Sequence, residues 1–362
     1  MTSATMRAIT KPLGRIGLEI KTVPIPTPGP RDLKVRLLAT SICGSDLHIY
    51  DSDPAFEGRI KDGNISGHEL CGVVEATGAL CERIKPGDIV ALESHITCGH
   101  CWHCRNALSH LCVNNVTIGF DRDGGFADYI VIPEVNAILK PASLSVEEAA
   151  LLEPFGNALD TAGAVDLVGK SVLVTGCGPQ GVMALAVAKA SGARRVIATE
   201  IHERRRESAR TMLRHGAAAS RRDEDLVLDP RDPGTAAAIA KATDGRGVDV
   251  VLEMSGNPSA INFGLANLRP GGDFVALGLA GQNITLDWSH HIVTRGITVR
   301  GIYGRHVYQT WDKARELLDS GAVTLAPLIT HRFGLDDFET AFQLLKTGQA
   351  EKVILYPDRA RA

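Results

Sequence analysis

The stretch SVLVTGCGPQGVMALAVAKASGA, residues 171–193, decides the fold. Its first five residues form a short, mostly apolar run of the kind that becomes a buried strand. Gly176, Gly178 and Gly181 follow as G-x-G-x-x-G, and an apolar segment of helical length begins near Val182. In a strand–turn–helix of this type the first two glycines allow a tight turn and bring backbone N–H groups close to a pyrophosphate. The third lets helix and strand touch, and the helix N-terminus favours the negative charge. Glu200 closes the next apolar run, RVIATE, about twenty residues further on. There it would accept hydrogen bonds from ribose hydroxyls and repel a 2′-phosphate, which favours NAD over NADP; Arg204 and Arg205 pull the other way. The plain alternative is a glycine-rich turn that holds no ligand.

Outward from this point, GVDVVLEMSG and GGDFVALG alternate with helix-length segments. Short continuous apolar strands separated by helices signify a parallel sheet covered on both faces, an α/β fold. The first third has a different texture. DLKVRLLAT, CGVVEATG, DIVALES and FADYIVI are strand-like runs bounded by turn formers, which predicts a β-rich, barrel-like unit. Near residue 300 the texture changes again, with a helix (TWDKARELLDSG), LITHRF, a second helix (DDFETAFQLLKTG) and the strand KVILY.

A chain of 362 residues exceeds one ordinary core, so two domains are expected. Apolar residues at 44%, charged residues at 22% and a net charge of −3 fit a soluble globular protein and give no sign of nucleic-acid binding. No apolar stretch approaches the ~18 residues needed to span a bilayer, and MTSATMRAITK lacks the apolar core of a signal peptide. A cytoplasmic, reducing setting is expected, in which clustered cysteines serve as metal ligands rather than disulfides.

Two sets of ligand-type residues stand out. Cys98, Cys101, Cys104 and Cys112 are spaced C-x2-C-x2-C-x7-C, and four thiolates so close can wrap one tetrahedral ion with no corner left for water. That reads as structural zinc; an iron–sulfur cluster competes, but its usual spacing and following proline are absent. Four cysteines already fill the shell, so His95, His100, His103 and His110 flank it. An open metal site must then lie elsewhere. Its candidates are Cys43 in SICGSDLHIY and His68 in ISGHELCG, with Glu69 or Glu153 supplying a carboxylate. Each also has a plain reading, as a buried thiol, a core histidine or a surface glutamate. Cys71, Cys81 and Cys177 read as packing residues.

The segments CGSDLHIY, GHELCGVV, ITCGHCWHC, GCGPQG and GIYGR occur in an order that resembles the zinc-dependent medium-chain dehydrogenases. EPFGNALDTA, LEMSG and LITHRF narrow the likeness to the threonine-oxidising branch, from about residue 6 to residue 356. The resemblance implies a GroES-like catalytic domain, residues 1–157 and 300–362, carrying a structural zinc lobe at about 93–115. It also implies a Rossmann NAD-binding domain at 158–299. It makes Cys43, His68 and Glu69 ligands of a catalytic zinc, with Glu153 as the exchangeable carboxylate and Ser45 and His48 as the proton relay. Gln180, Glu200, Arg205, Leu277, Gly278, Leu279, Ile302 and Tyr303 fall on cofactor-contacting positions. Gln180 departs from the usual apolar residue. His95 is implied as a substrate contact, and Arg305, as a bidentate donor, is the candidate for a substrate carboxylate. Two zinc ions per chain, NAD, a homotetramer and oxidation of L-threonine to 2-amino-3-ketobutyrate are the implied cofactors, assembly and activity. Sorbitol- or butanediol-type dehydrogenases are the alternative within the family. An inert dinucleotide-binding relative is the alternative outside catalysis, but such relatives usually lack the zinc ligands kept here.

Overall fold

Continuous apolar strands can be satisfied only inside a sheet covered on both faces, and the SVLVT run occupies such a position in the computed structural model, which describes residues 4–56, 58–215 and 225–358. Ser171–Thr175 is buried throughout and lies between Arg195–Thr199 and Val248–Glu253. Among the described residues the sheet has six parallel strands in the order Leu226–Leu228, Arg195–Thr199, Ser171–Thr175, Val248–Glu253, Leu268–Ala276, Thr298–Gly301. Val172, Leu173, Val174, Val250, Val251 and Leu252 are wholly buried, each contributing about 1.5–3 kcal/mol of apolar burial. The strand order reverses direction at Ser171–Thr175. The carboxyl end of that strand is therefore the topological switch point, where doubly wound sheets bind ligands.

The chain divides into two units: residues up to Glu153 together with Ile329 onward, and Pro154–Leu328. The re-entry into the first unit was expected at residue 300 and comes at Ile329. Thr298–Gly301 is still a strand of the parallel sheet, with Val299 opposite Phe274, and the helix Gln309–Asp319 follows in the same unit. All four residues of that strand are exposed, so it lacks the buried apolar signature that marked its neighbours.

In the first unit, Asp32–Ser41 and Glu69–Thr77 are the longest strands and pair antiparallel near the centre of a seven-stranded sheet. All four strand-like runs read from the first third join this one sheet. The C-terminal strand Lys352–Tyr356 lies on the other side of Asp32–Ser41, so Glu69 faces Ser41 and Ser41 faces Ile354. This register sets Glu69, the approach to Cys43 and Lys352 side by side at one end of the sheet. The core beneath is a cluster that includes Leu33, Val35, Leu37, Leu70, Val90 and Leu92.

Candidate active site

Cys43 ends the turn after Asp32–Ser41 and caps the helix Gly44–Tyr50. Asp46, three residues on, closes a capping box: its Oδ2 accepts from the Cys43 N–H at 2.9 Å. His68 and Glu69 precede and open the neighbouring strand. One donor atom each from Cys43, His68 and Glu69 lies within 4.8 Å of the others. A thiolate, an imidazole and a carboxylate in that compass suit zinc with a corner left open.

The surroundings of His68 also fit a cation. The side chain is buried, and burial alone would lower its pKa; nearby Asp46, Cys43 and Glu153 outweigh this and raise it to about 10. Acidic side chains thus converge on one imidazole, a place that suits a cation. Asp46 is itself completely buried, and burial raises its pKa despite the opposing pull of His68. The His68 Nδ1 and Asp46 Oδ1 face each other at 3.7 Å, each without a hydrogen-bond partner among the described residues. A small closure would join them, fixing Nε2 as the metal-facing nitrogen in the usual carboxylate–histidine arrangement.

Ser45 and His48 lie one helical turn apart on Gly44–Tyr50, on a shared face. The Ser45 hydroxyl is 3.5 Å from His68 Nε2, against the candidate metal position. The His48 side chain is 61% exposed, and its Nδ1 meets Asp53 Oδ2 at 2.8 Å, which holds the ring in one orientation. Glu153 lies outside the tight three-residue set, and its Oε1 accepts from Ser94 Oγ at 2.6 Å. His95 is tethered at Nδ1 to Glu93, 3.0 Å away.

The second ligand set matches its spacing. Sulfurs of Cys98, Cys101, Cys104 and Cys112 gather within 4.8 Å. Cys101 caps the short helix Trp102–Arg105 and accepts from the Cys104 N–H, and Cys98 and Cys112 also accept backbone N–H groups. Backbone donation, first from the His100 N–H, lowers the Cys98 pKa to about 5. Burial and then the neighbouring sulfurs push Cys104 up to about 12. Four crowded thiols of this kind ionise together only around a cation, so the set suits structural zinc.

At the switch point of the other unit, Gly176 has φ +90°, and a Cβ there would stand 2.7 Å from that of Ser255. A Cβ on Gly181 would collide with the Gly176 carbonyl. Gly178, the N-cap of the helix Pro179–Ala190, faces open space, room for a phosphate group. A cavity of about 530 Å³ adjoins the motif, lined by Gly176, Glu200, Arg205, Arg231 and Asn257 among others. Backbone N–H groups of Cys177 and His202 donate to the two Glu200 carboxylate oxygens, at 2.9 and 3.0 Å, and so hold them in place. These features fit an adenosine and its pyrophosphate. Gln180 stands in the first turn of the helix, its buried Oε1 without a partner among the described residues. Leu277 and Gly278 follow the strand Leu268–Ala276, where both N–H groups donate to the Glu253 carbonyl. Ile302 follows Thr298–Gly301, and Leu279 (86%) and Tyr303 (58%) are exposed.

Arg305 is 1% exposed. Its Nη1 donates to Asn157 Oδ1 at 3.1 Å, and the guanidinium lies 5.8 Å from the Trp311 ring centroid. The side chain is thus engaged within its own unit, which the reading of a carboxylate-binding arginine did not include.

Several residues escaped the sequence reading. Asp46 carried a signal, since Asp three residues after an N-cap is a capping pattern. Asp53, Ser94 and Arg231 carried none. Lys352 carried a misleading one: lysine at the head of a strand reads as solvent-exposed, yet it is buried and holds Glu69 at 2.5 and 2.6 Å.

Comparison with known proteins finds a family for the chain. Residues 29–142 match the family model of the alcohol dehydrogenase GroES-like domain, and residues 179–320 that of the zinc-binding dehydrogenases. The L-threonine 3-dehydrogenase of Thermococcus kodakarensis is 41% identical, covering 98% of this chain and 99% of the relative. That of Pyrococcus horikoshii is 43% identical, over 97% and 99%. Among solved structures, the 2R,3R-butanediol dehydrogenase of Bacillus subtilis superposes with a TM-score of 0.86 at 27% identity, over 98% of this chain and 100% of that one.

Proposed function

Since the chain belongs to the zinc-dependent alcohol dehydrogenase family, we propose that it oxidises the secondary hydroxyl of L-threonine, or a close β-hydroxy amino compound, with transfer of hydride to NAD. For threonine the product is 2-amino-3-ketobutyrate. The observation that carries the reading is the trio Cys43, His68 and Glu69, with donor atoms within 4.8 Å, in a chain similar over nearly its whole length to threonine dehydrogenases.

Bound at this site, zinc would supply Lewis acidity toward the substrate hydroxyl and NAD would supply the hydride acceptor. The chain does the rest. Cys43 and His68 would hold the ion, with Glu69 and Glu153 as the carboxylates beside it. Ser45 takes the hydroxyl proton and His48, exposed and oriented by Asp53, releases it to solvent; an imidazole suits that step near neutral pH. His95, fixed by Glu93 through Nδ1, keeps Nε2 for the substrate. Arg305, fully buried beside Asn157 and Trp311, is the candidate for the substrate carboxylate. Its replacement by Ala should then raise the KM for threonine and leave that for NAD nearly unchanged; loss of folding alone would assign it to packing.

The glycine motif and Glu200 bind NAD, and Gln180, Arg205, Leu277 to Leu279, Ile302 and Tyr303 complete that surface. Two zinc ions per chain are expected. A cytoplasmic homotetramer is the proposed working form; the exposed edge strand Thr298–Gly301, with Val299 in it, offers an unpaired sheet edge for subunit contact. NADH formation with threonine, sorbitol, 2,3-butanediol and simple secondary alcohols tests the assignment. Threonine should give the highest kcat/KM, and a higher value for either diol-type substrate would transfer the chain to the polyol branch.

A further inference from the structure

Glu69 is one of three candidate ligands of the catalytic ion, and it already has another cation. The Lys352 ammonium donates to Glu69 Oε1 at 2.5 Å, to Oε2 at 2.6 Å and to the Ile42 carbonyl at 3.3 Å. An ammonium has three protons, and here each has an acceptor, so the group is held as a complete cation. Both side chains are buried, 4% and 0% exposed, and solvent screens their attraction little. The pairing follows from strand register: Glu69 stands opposite Ser41, and Ser41 opposite Ile354 of the C-terminal strand that Lys352 opens.

We propose that Lys352 is a positioning residue of the metal centre that keeps Glu69 an exchangeable ligand and so sets how firmly the catalytic zinc is held. A carboxylate has about four lone-pair sites. With one on each oxygen engaged by a cation, Glu69 offers a dication weakened donors, and the fixed positive charge nearby opposes the ion. Cys43 and His68 then carry most of the hold. The ion also stays more electron-poor than a thiolate–imidazole–carboxylate set alone would leave it, as polarising a substrate hydroxyl requires. A lysine present only to neutralise a buried carboxylate would do the opposite: its loss would loosen the site, and zinc would leave sooner.

This inference rests on the zinc-dehydrogenase reading, and the experiment needs no substrate. The holoenzyme is mixed with the chromogenic chelator 4-(2-pyridylazo)resorcinol and zinc release is followed. The Cys98–Cys112 site serves as an internal control. Lys352→Gln keeps N–H donors for Glu69 without the charge, and Lys352→Met removes both. Both should slow release of the catalytic zinc, by about 10-fold or more, the scale of outer-shell effects on metal sites. Lys352→Arg should restore near-wild-type release, and Glu69→Gln combined with Lys352→Gln should abolish the slowing. Unchanged or faster release from Lys352→Gln, or slowing that persists without the Glu69 carboxylate, would overturn the inference. If Lys352→Met does not fold, the Gln and Arg variants still decide it. Failure of the wild-type protein to oxidise threonine would sink the substrate assignment and leave this result standing.

Discussion

Asp46 illustrates how one side chain can serve the backbone and the chemistry at once. One carboxylate oxygen caps the helix Gly44–Tyr50 through the Cys43 N–H, and the other faces His68 Nδ1. Asp46→Asn keeps the shape and removes the charge. It should weaken catalytic zinc binding about 10–100-fold while the four-cysteine site keeps its ion, as competition with a chelator would measure. Gly181 is a residue-scale constraint of another kind. A methyl group there meets the Gly176 carbonyl, so Gly181→Ala should cost about 1–3 kcal/mol in urea unfolding and depress NAD affinity together. What could be read from sequence at this scale was whatever had a spacing. The glycine motif, the four cysteines and the pair His68–Glu69 are local patterns, and the structure brings each together. Lys352 and Glu69 lie 283 positions apart and meet only through strand register, which no local pattern encodes.

At the scale of elements, the short helix Val146–Ala150 shows how the returning C-terminal segment is tied into its sheet. Glu147, in its first turn, accepts from Arg332 Nε at 2.9 Å and Nη2 at 2.6 Å and from the Tyr356 hydroxyl. The Arg332 hydrogen bonds, opposed by burial and aided by Tyr356, lower the Glu147 pKa from 4.5. A carboxylate depressed in the fold stabilises it fully above its ordinary value, and the contribution is lost as pH falls through the lower, folded value. Glu147→Gln should therefore cost about 1 kcal/mol at pH 7, a figure reduced for the solvent exposure of Arg332, and cost little near pH 2. Denaturant midpoints across that range would show the two proteins converging in acid; a constant gap would refute the pairing. The helical and strand periods marked these elements in the sequence, but not where the chain changes units. Thr298–Gly301 is exposed at every position, so nothing in its composition told a sheet edge from a linker.

For the molecule as a whole, ligand choice can be read as stability. A group that binds only the folded state stabilises it by RT ln(1 + [L]/Kd), about 2.7 kcal/mol at a hundred times Kd. For a unit the size of Pro154–Leu328 that corresponds to about 5–10 °C in the unfolding midpoint. Glu200, held by two backbone N–H groups, presents its charge toward the cavity, where a 2′-phosphate would be repelled. Arg205 and Arg231 line the same cavity, but Arg231 is already paired with Asp229 at 2.7 Å and donates to the Ile201 carbonyl at 2.6 Å. Arg205, which has no ion pair among the described residues, offers a phosphate less than the carboxylate takes away. At equal millimolar concentration NAD should raise the melting midpoint by several degrees more than NADP, and Glu200→Ala should narrow or reverse that difference. Equal shifts from the two cofactors in the wild-type protein would mean that Glu200 does not discriminate, and that the arginines govern the adenosine end of the site.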